Sequence, residues 1–234
     1  MSSSSSSPVL TVDGPSGSGK GTVSRALARH TGWHLLDSGA LYRLVALAGL
    51  KAGLPAHDAA RHAELARTMR VEFGASADAE EQIRLDGCDV SGEIRSETAG
   101  QGASRVAAWP EVRTALLTRQ RGFARPPGLV ADGRDMGTVV FPGADLKIFL
   151  TATPEERARR RYKQLKDKGS DVSLAALSRE IAERDLRDQT RKVAPLRPAP
   201  DAQLIDSTTL SVEAVVARVL ELGAERRLWP RGPL

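Results

Sequence analysis

Cysteine is nearly absent from this sequence of 234 residues, and the single Cys88 excludes an internal disulfide framework and a cysteine-rich zinc site. We expect Cys88 to be a partly buried thiol without a chemical role. Long apolar runs are also missing, since the longest, at residues 44–50, is far shorter than the about 20 residues that span a bilayer. The first residues lack the basic-then-apolar pattern of a signal peptide. We therefore expect a soluble, cytoplasmic protein with no membrane partner.

The composition indicates a folded protein but leaves its partner open. Hydrophobic residues make up 41% of the sequence, enough to bury a core, and the length suits one domain with insertions or two small ones. A net charge of +5 permits a nucleic-acid partner if the basic residues cluster on one face. They are instead spread along the chain, and most are arginines, which bind phosphates through paired hydrogen bonds. A small anionic substrate fits equally well.

Strand and helix patterns alternate along the chain after a serine-rich segment at residues 1–8, which we interpret as a disordered leader. The alternation predicts an α/β fold, a three-layer sandwich around a five-stranded parallel sheet. The predicted strands are VLTVD, WHLLD, GLVAD, LKIFLTA and AQLIDS. The predicted helices cover about residues 20–30, 39–52, 58–70, 110–122, 154–168, 174–192 and 211–226.

One region interrupts this alternation. Residues 71–95 carry short strand patterns around Gly and Asp turns, which predict a small antiparallel insertion of about residues 66–108. Its pattern fits a surface excursion as well as a segment that closes over a substrate. We expect a single domain over residues 9–234, with a polar, glycine-containing lid at about residues 157–173.

The stretch VDGPSGSGKGT at residues 12–22 fits the phosphate-binding pattern G-x-x-x-x-G-K-[ST], except that Gly21 takes the Ser/Thr position and Thr22 comes one residue late. A strand enters the loop and a helix leaves it, so backbone N–H groups and the helix N-terminus can bind a triphosphate. The residues that we predict to bind ATP in this loop are Gly14, Pro15, Ser16, Gly17, Ser18, Gly19, Lys20, Gly21 and Thr22.

Gly21 favours one class of phosphate-binding protein over others. Switch and motor ATPases hold Mg²⁺ through the hydroxyl that follows the lysine, and glycine has none. The ending G-K-G-T is typical of nucleoside monophosphate kinases. We expect Thr22 and Asp132, which ends the apolar run GLVAD, to share the Mg²⁺, directly or through water.

Together with this loop, the motifs LLDSGALYR, DVSGEIR, ADGRDMGTVVFPGADLKIFL and ERDLRD resemble bacterial cytidylate kinases in order from about residue 9 to residue 221. The resemblance implies transfer of the γ-phosphoryl group of ATP to CMP or dCMP, with Mg²⁺ as cofactor, a monophosphate-binding insertion and a mobile lid. It also implies that Lys20, Arg134, Arg184 and Arg191 are catalytic.

The residues themselves suit this chemistry. A phosphate monoester is mostly dianionic at pH 7, so the acceptor needs positive charge and alignment rather than a base. If ERDLRDQTR is helical, Arg184, Asp188 and Arg191 share one face, although such a face can also be a solvated set of ion pairs. By resemblance, Asp188 accepts from ribose hydroxyls and the two arginines bind the monophosphate or the transferring group.

Selection of the base depends on hydrogen bonding. Cytosine presents an amino donor where uracil presents a carbonyl, so a carboxylate favours cytosine. The resemblance assigns the base to Ser104, Arg113 and Asp135, with Asp135 as the discriminator. From the residues alone, Arg113 can equally be a surface arginine and Asp135 a turn residue paired with Arg134. The remaining residues that the resemblance places on the CMP side are Ser38, Tyr42, Arg43 and Arg134.

The lid carries four arginines between residues 157 and 161 that cannot all face inward from one helix. We expect Arg161 to contact the ATP phosphates on closure. Two alternatives remain: a kinase for another monophosphate such as UMP or AMP, and a nucleic-acid-dependent P-loop ATPase, against which Gly21 and the scattered charge weigh. We expect a monomer whose partners are CMP, dCMP and ATP, without nucleic acid.

Overall fold

The computed structural model describes residues 7–75, 81–167 and 169–229. Parts of the predicted leader (residues 1–6), insertion (76–80) and lid (168) lie outside the described residues. Pro8, which we assigned to the leader, joins the fold, since its carbonyl oxygen accepts a hydrogen bond from the Leu129 amide over 2.9 Å. The chain divides into two compact units, the first of residues up to Asp37 and from Arg121 on, the second of Ser38–Gln120.

Strands and helices alternate through most of the chain. The strands are β1 Val9–Asp13, β2 His34–Asp37, β3 Val71–Ala75, β4 Glu81–Leu85, β5 Cys88–Asp89, β6 Leu129–Gly133, β7 Leu146–Thr151 and β8 Gln203–Asp206. The helices are α1 Lys20–Thr31, α2 Ser38–Lys51, α3 Ala59–Thr68, α4 Ser91–Ile94, α5 Glu97–Val106, α6 Pro110–Arg121, α7 Pro154–Asp167, α8 Leu174–Thr190 and α9 Val212–Glu225. A π-helical turn covers Met136–Val140.

The first unit contains the predicted parallel sheet, in the strand order β2-β6-β1-β7-β8. All five strands are confirmed, each within one residue of the predicted ends. Every residue of β1 and β6 is buried, which explains why these strands are almost continuously apolar rather than alternating. Apolar faces of α1 and α9 pack on the sheet and complete its core, through Val23, Leu27, Val215 and Val219. Because all five strands run in parallel, their carboxyl ends meet at one edge of the sheet.

The second unit confirms the small antiparallel sheet, β3-β4-β5, which lies inside the predicted insertion. Helix α5 was missed because its sequence, ETAGQGASRV, is rich in glycine and small residues. Packing explains one of these glycines, since a Cβ atom at Gly102 would lie 2.9 Å from the Ala46 Cβ of α2. The expectation of a partly buried Cys88 is wrong, because this thiol is exposed on the short strand β5.

Two helix ends differ from what the sequence indicates, and the first is the start of α7, where residues 153–156, TPEE, have the pattern of a capping box. The Thr153 hydroxyl accepts a hydrogen bond from the Glu156 amide over 3.3 Å, as in a capping box. The Thr153 amide, however, donates to the Thr208 hydroxyl over 3.0 Å, so only half of the box forms. Helix α8 ends at Thr190, two residues earlier than predicted. No helix in the described part of the chain is long and apolar enough to cross a membrane.

Candidate active site

The phosphate loop, residues 14–22, connects β1 to α1 through glycines in an unusual backbone conformation. Gly14, Gly17 and Gly19 have φ angles of 154°, 78° and 90°, which side chains rarely permit. A Cβ atom at Gly14 would lie 2.0 Å from the Leu150 carbonyl oxygen, so the loop passes too close to β7 for any side chain at that position. The predicted strand–loop–helix context is confirmed, and such a loop can direct its N–H groups at an anion.

Lys20 begins α1 and is almost fully buried. Its ammonium group donates a hydrogen bond to the Pro15 carbonyl oxygen, 2.9 Å away, which folds the side chain back over the loop. Burial lowers the pKa of Lys20, and the positive charge of Arg134 lowers it further, whereas Asp132 raises it. A phosphate bound in the loop would counter both lowering effects, because a negative charge nearby favours the ammonium form.

Arginines surround the Asp188 carboxylate in the last turn of α8. Arg134 Nε donates to Asp188 Oδ2 over 3.1 Å, and an Arg191 nitrogen donates to Oδ1. Burial raises the pKa of Asp188, but the charges of these two arginines and of Arg184 outweigh it and hold the pKa below its ordinary value. Arg184 and Asp188 also act electrostatically on Lys20. The structure therefore brings all four predicted catalytic residues together in the first unit.

Arg191 takes part in this cluster from a different position than predicted. We expected it on the face of α8 that carries Arg184 and Asp188, but it lies just past the helix end, with φ −55° and ψ 135°. A hydrogen bond of 2.7 Å from the Leu196 amide to the Asp188 carbonyl oxygen closes the helix end. The prediction that Arg191 shares a helical face with Arg184 and Asp188 is thus wrong. Its side chain reaches Asp188 from the segment that follows α8 instead.

Asp132 lies on β6 next to the start of α1, and its carboxylate is buried. Its Oδ2 atom is 3.2 Å from where a Cβ atom of Gly21 would be. Burial raises the pKa of Asp132, Lys20 lowers it and the neighbouring Asp37 raises it. A glycine at the usual Ser/Thr position therefore leaves room for this carboxylate. Within the described residues, no group of three or more His, Cys, Asp or Glu side chains could hold a metal ion.

Asp13, the last residue of β1, is a buried carboxylate that sequence reasoning missed. Its two oxygens accept hydrogen bonds from the Met136 and Gly137 amides, each over 2.8 Å. Burial raises the pKa of Asp13 to about 7, although these two bonds favour the charged form. A carboxylate that ends a buried strand beside a phosphate loop could have indicated a functional residue. Its hydrogen-bond partners could not be predicted, because they lie more than 120 residues away in sequence.

The second unit holds several residues predicted to bind CMP. The Arg113 guanidinium lies over the Tyr42 ring, 5.7 Å from its centroid, and donates to the Ala107 carbonyl oxygen over 3.2 Å. Only 8% of Arg113 is exposed, so it is not a surface arginine. Ser104 is also buried, and its hydroxyl has no hydrogen-bond partner among the described residues. A buried hydroxyl of this kind is suited to a bound ligand.

Ser38 and Gln120 form a buried hydrogen bond that sequence reasoning did not anticipate. The Ser38 hydroxyl donates to Gln120 Oε1 over 3.0 Å. Because a hydroxyl has one proton, Ser38 can donate to a phosphate only if this bond breaks or the Gln120 amide turns and donates its own N–H. Arg43, also predicted to face CMP, donates to the Ile94 carbonyl oxygen over 3.0 Å and connects α2 to α4.

The first arginine of the predicted lid, Arg157, is structural in this conformation. Only 3% of it is exposed, and Nη1 donates to Asp185 Oδ1 over 3.0 Å. The same nitrogen lies 3.0 Å from the Ser16 carbonyl oxygen of the phosphate loop. Arg157 thus connects α7, α8 and the loop, a role that its position in a run of arginines did not indicate.

The other lid arginines differ in how close they lie to the loop. Arg160 Nη1 lies 3.1 Å from the Ser207 hydroxyl, and it would be 3.7 Å from a Cβ atom at Gly19. Arg161, which we predicted to bind ATP, donates to Gln164 over 2.7 Å at the surface. In this conformation Arg160 therefore lies next to the phosphate loop, as Arg157 does.

Comparison with known proteins identifies the family. The family model described as cytidylate kinase matches residues 10–225. The chain belongs to the cytidylate kinase family. A cytidylate kinase of Stutzerimonas stutzeri is 60% identical over 222 residues, which cover 94% of this chain and 97% of the relative. That of Methylococcus capsulatus is 58% identical over 209 residues (89% and 93%), and that of Pseudomonas paraeruginosa 58% identical over 223 residues (95% and 97%).

Membership of the cytidylate kinase family confirms the resemblance that the sequence motifs predicted. The match spans both units of the chain, so neither unit is an unrelated addition. The glycine at position 21 and the arginines around Asp188 thus belong to a kinase of the cytidylate kinase family, not to a switch or motor protein.

Proposed function

We propose that this chain transfers the γ-phosphoryl group of ATP to CMP or dCMP, giving CDP or dCDP and ADP. The observation that carries this proposal is the buried Lys20 beside the phosphate loop, with the arginine cluster of Asp188 acting on it. This arrangement concentrates positive charge where two phosphate groups must approach each other. The names of its relatives support cytidine as the nucleoside.

The acceptor needs no general base. The second pKa of a phosphate monoester is about 6, so the CMP phosphate arrives mostly as a dianion at pH 7. The protein has to overcome the repulsion between this dianion and ATP and to align the attacking oxygen with the γ-phosphorus. Lys20, Arg134, Arg184 and Arg191 supply the positive charge for both tasks.

ATP is held by the phosphate loop. Its backbone N–H groups bind the β- and γ-phosphates, and Lys20 exchanges its bond to Pro15 for a phosphate oxygen. Arg161 remains our predicted contact from the lid, and the position of Arg160 beside the loop supports a second one. Closure of the lid would exclude water and limit hydrolysis of ATP. The loop residues proposed for ATP are Gly14, Pro15, Ser16, Gly17, Ser18, Gly19, Lys20, Gly21 and Thr22.

CMP is recognised through its base, ribose and phosphate. Asp135 accepts from the cytosine amino group, with Ser104 and Arg113 as further base contacts. Asp188 accepts from the ribose, using lone pairs that its bonds to arginines leave available. The residues proposed for the phosphate side are Ser38, Tyr42, Arg43, Arg134, Arg184 and Arg191.

Mg²⁺ fits the residues next to the phosphate loop. The buried Asp132 carboxylate behind Gly21 is a hard oxygen ligand, and Mg²⁺ in kinases takes one or two carboxylates together with waters and substrate phosphates. Asp132 and the Thr22 hydroxyl in the first turn of α1 would hold it, directly or through water. The ion would neutralise charge on the β- and γ-phosphate oxygens. Gly21 leaves space for the Asp132 carboxylate, since a Cβ atom there would lie 3.2 Å from Asp132 Oδ2.

One assay tests the substrate. ADP release is measured by a coupled assay with CMP, dCMP, UMP, AMP and GMP as acceptors, with and without RNA. We expect CMP and dCMP to be preferred and RNA to have no effect. Faster turnover of UMP or AMP would support the alternative monophosphate kinase. ATP hydrolysis that RNA stimulates, without CMP turnover, would support the nucleic-acid-dependent ATPase. A cytoplasmic, monomeric enzyme with nucleotides as its only partners stays a prediction.

A further inference from the structure

The π-helical turn Met136–Val140 begins directly after Asp135, the residue proposed to select cytosine. The first amides of any helical turn lack partners within the turn and need an acceptor from elsewhere. An aspartate in the position of Asp135 normally supplies that acceptor with its own carboxylate. Asp135 makes no such capping bond here.

Asp13 supplies the acceptor instead, from the neighbouring strand β1. Its Oδ1 atom accepts from the Met136 amide and its Oδ2 atom from the Gly137 amide, both over 2.8 Å. Asp13 is 4% exposed, so water does not compete with these bonds. A carboxylate held at both oxygens fixes the start of the turn in position and in rotation.

The turn also packs closely against β1 and β7 at Gly137. A Cβ atom at Gly137 would lie 3.0 Å from the Thr11 hydroxyl and 3.1 Å from Lys147 Cδ. Lys147 is buried, and its ammonium is bound by the Pro142 carbonyl oxygen at 2.6 Å and by Asp201 at 2.9 Å, so it cannot easily move away. Glycine at position 137 therefore lets the amide reach Asp13.

We infer that Asp13 is a positioning residue for base selection: by capping the Met136–Val140 turn it relieves the Asp135 carboxylate of that task and fixes its direction. Asp13 acts in this role through the Met136 and Gly137 amides that its oxygens bind, and not by contact with a nucleotide. The inference rests on the proposed function, in which Asp135 accepts from cytosine. Since Gly14 follows Asp13, the same strand end carries the phosphate loop and the support for base recognition.

The experiment uses Asp13→Asn, Asp135→Ala and the double variant, with CMP and UMP as acceptors. An amide at position 13 places an N–H donor against one of the two backbone N–H groups. We expect the Asp135 carboxylate to turn and accept from the amide that Asp13 no longer binds. We expect kcat/KM for CMP to fall at least about tenfold, because misplacement near 1 Å can cost about a hundredfold. The preference for CMP over UMP should fall with it, while binding of a non-hydrolysable ATP analogue stays within about twofold of wild type.

The double variant separates positioning from a general structural role. If Asp13 acts through Asp135, Asp13→Asn adds less than a twofold loss in the Asp135→Ala background. Additive losses, or a loss of ATP-analogue binding equal to the loss with CMP, would overturn the inference. The matched control is Asp145→Asn, which removes a carboxylate bond to the Val9 amide, 2.8 Å long, at the other end of β1. It should leave the CMP preference unchanged.

A second variant covers the case in which Asp13→Asn does not fold. Gly137→Ala keeps Asp13 but pushes the turn away from it, and should lower the CMP preference in the same way. An unchanged preference in Gly137→Ala would count against the inference. If wild type itself does not prefer CMP over UMP, the proposed function fails; if it does and both variants retain the preference, only the role of Asp13 fails.

Discussion

The Arg134 guanidinium and the Asp188 carboxylate form an ion pair of 3.1 Å in which 1% of the Asp188 side chain is exposed. Arg191, whose side chain is 6% exposed, binds the other oxygen of the same carboxylate. The Asp188 carboxylate thus binds two guanidinium groups at once. Two positive charges held at one carboxylate suit a site for phosphate, and they also make the fold depend on Asp188.

We predict that Asp188→Asn destabilises the protein in the absence of nucleotides by about 3–5 kcal/mol, because the buried arginines lose their counter-charge. The free energy of unfolding in urea measures this. The control is Glu221→Gln, which breaks the exposed Arg218–Glu221 pair of 3.1 Å and should cost less than about 1 kcal/mol. A similarly small cost for Asp188→Asn would mean that water reaches both arginines.

We predict that CMP restores the stability of Asp188→Asn only in part. Bound phosphate supplies negative charge to Arg134 and Arg191, so CMP should stabilise both wild type and Asp188→Asn through binding to the folded state. The variant has lost the proposed ribose acceptor, however, and its apparent affinity for CMP should fall at least about tenfold, since a charged hydrogen bond contributes about 1.5–3 kcal/mol. Thermal unfolding at increasing CMP concentrations measures both effects.

Two glycines of the phosphate loop should differ sharply when replaced. Gly14→Ala sets a Cβ atom 2.0 Å from a backbone oxygen, whereas the nearest atom to a Cβ at Gly19 is the movable Arg160 Nη1, 3.7 Å away. We expect Gly14→Ala to cost about 4 kcal/mol or more, or to prevent folding. Gly19→Ala should cost about 1 kcal/mol, from its positive φ alone. Urea unfolding of both variants decides; equal costs would mean that β7 and the loop separate readily.

The parallel sheet and much of the candidate site could be predicted from the sequence because their signals are local. Buried parallel strands are continuous apolar runs, and the glycines at 14, 17 and 19 carry the phosphate loop in one local stretch. A local sequence pattern cannot show which distant groups meet. The hydrogen bonds between Asp13 and Met136 and between Ser38 and Gln120 could therefore not be predicted. It also missed α5, where glycines serve close packing on α2 rather than a turn.

Gly21→Ser restores the side chain of other phosphate loops and tests the arrangement with Asp132. Its Cβ atom would lie 3.2 Å from Asp132 Oδ2, so the carboxylate must shift by a few tenths of an ångström. We expect folding stability to change by less than about 1 kcal/mol. The Mg²⁺ concentration for half-maximal activity should rise about tenfold, as for other supporting residues of metal sites. Gly143→Ala, in open space, is the control; an unchanged Mg²⁺ requirement would separate Gly21 from the metal.

The raised pKa of Asp13 predicts that its contribution to stability decreases as the pH rises. Burial raises its pKa from 3.8 to about 7, so between these values the folded protein holds a proton that the unfolded chain has released. The contribution of Asp13 to stability therefore falls as pH rises from about 4 to about 7, by at most about 4 kcal/mol, and stays low above that. The free energies of unfolding of wild type and Asp13→Asn are measured in urea from pH 4.5 to 8. The stability of wild type relative to Asp13→Asn should decrease as the pH rises. A difference that does not change with pH would mean that the Met136 and Gly137 amides keep the carboxylate ionised throughout, against the effect of burial.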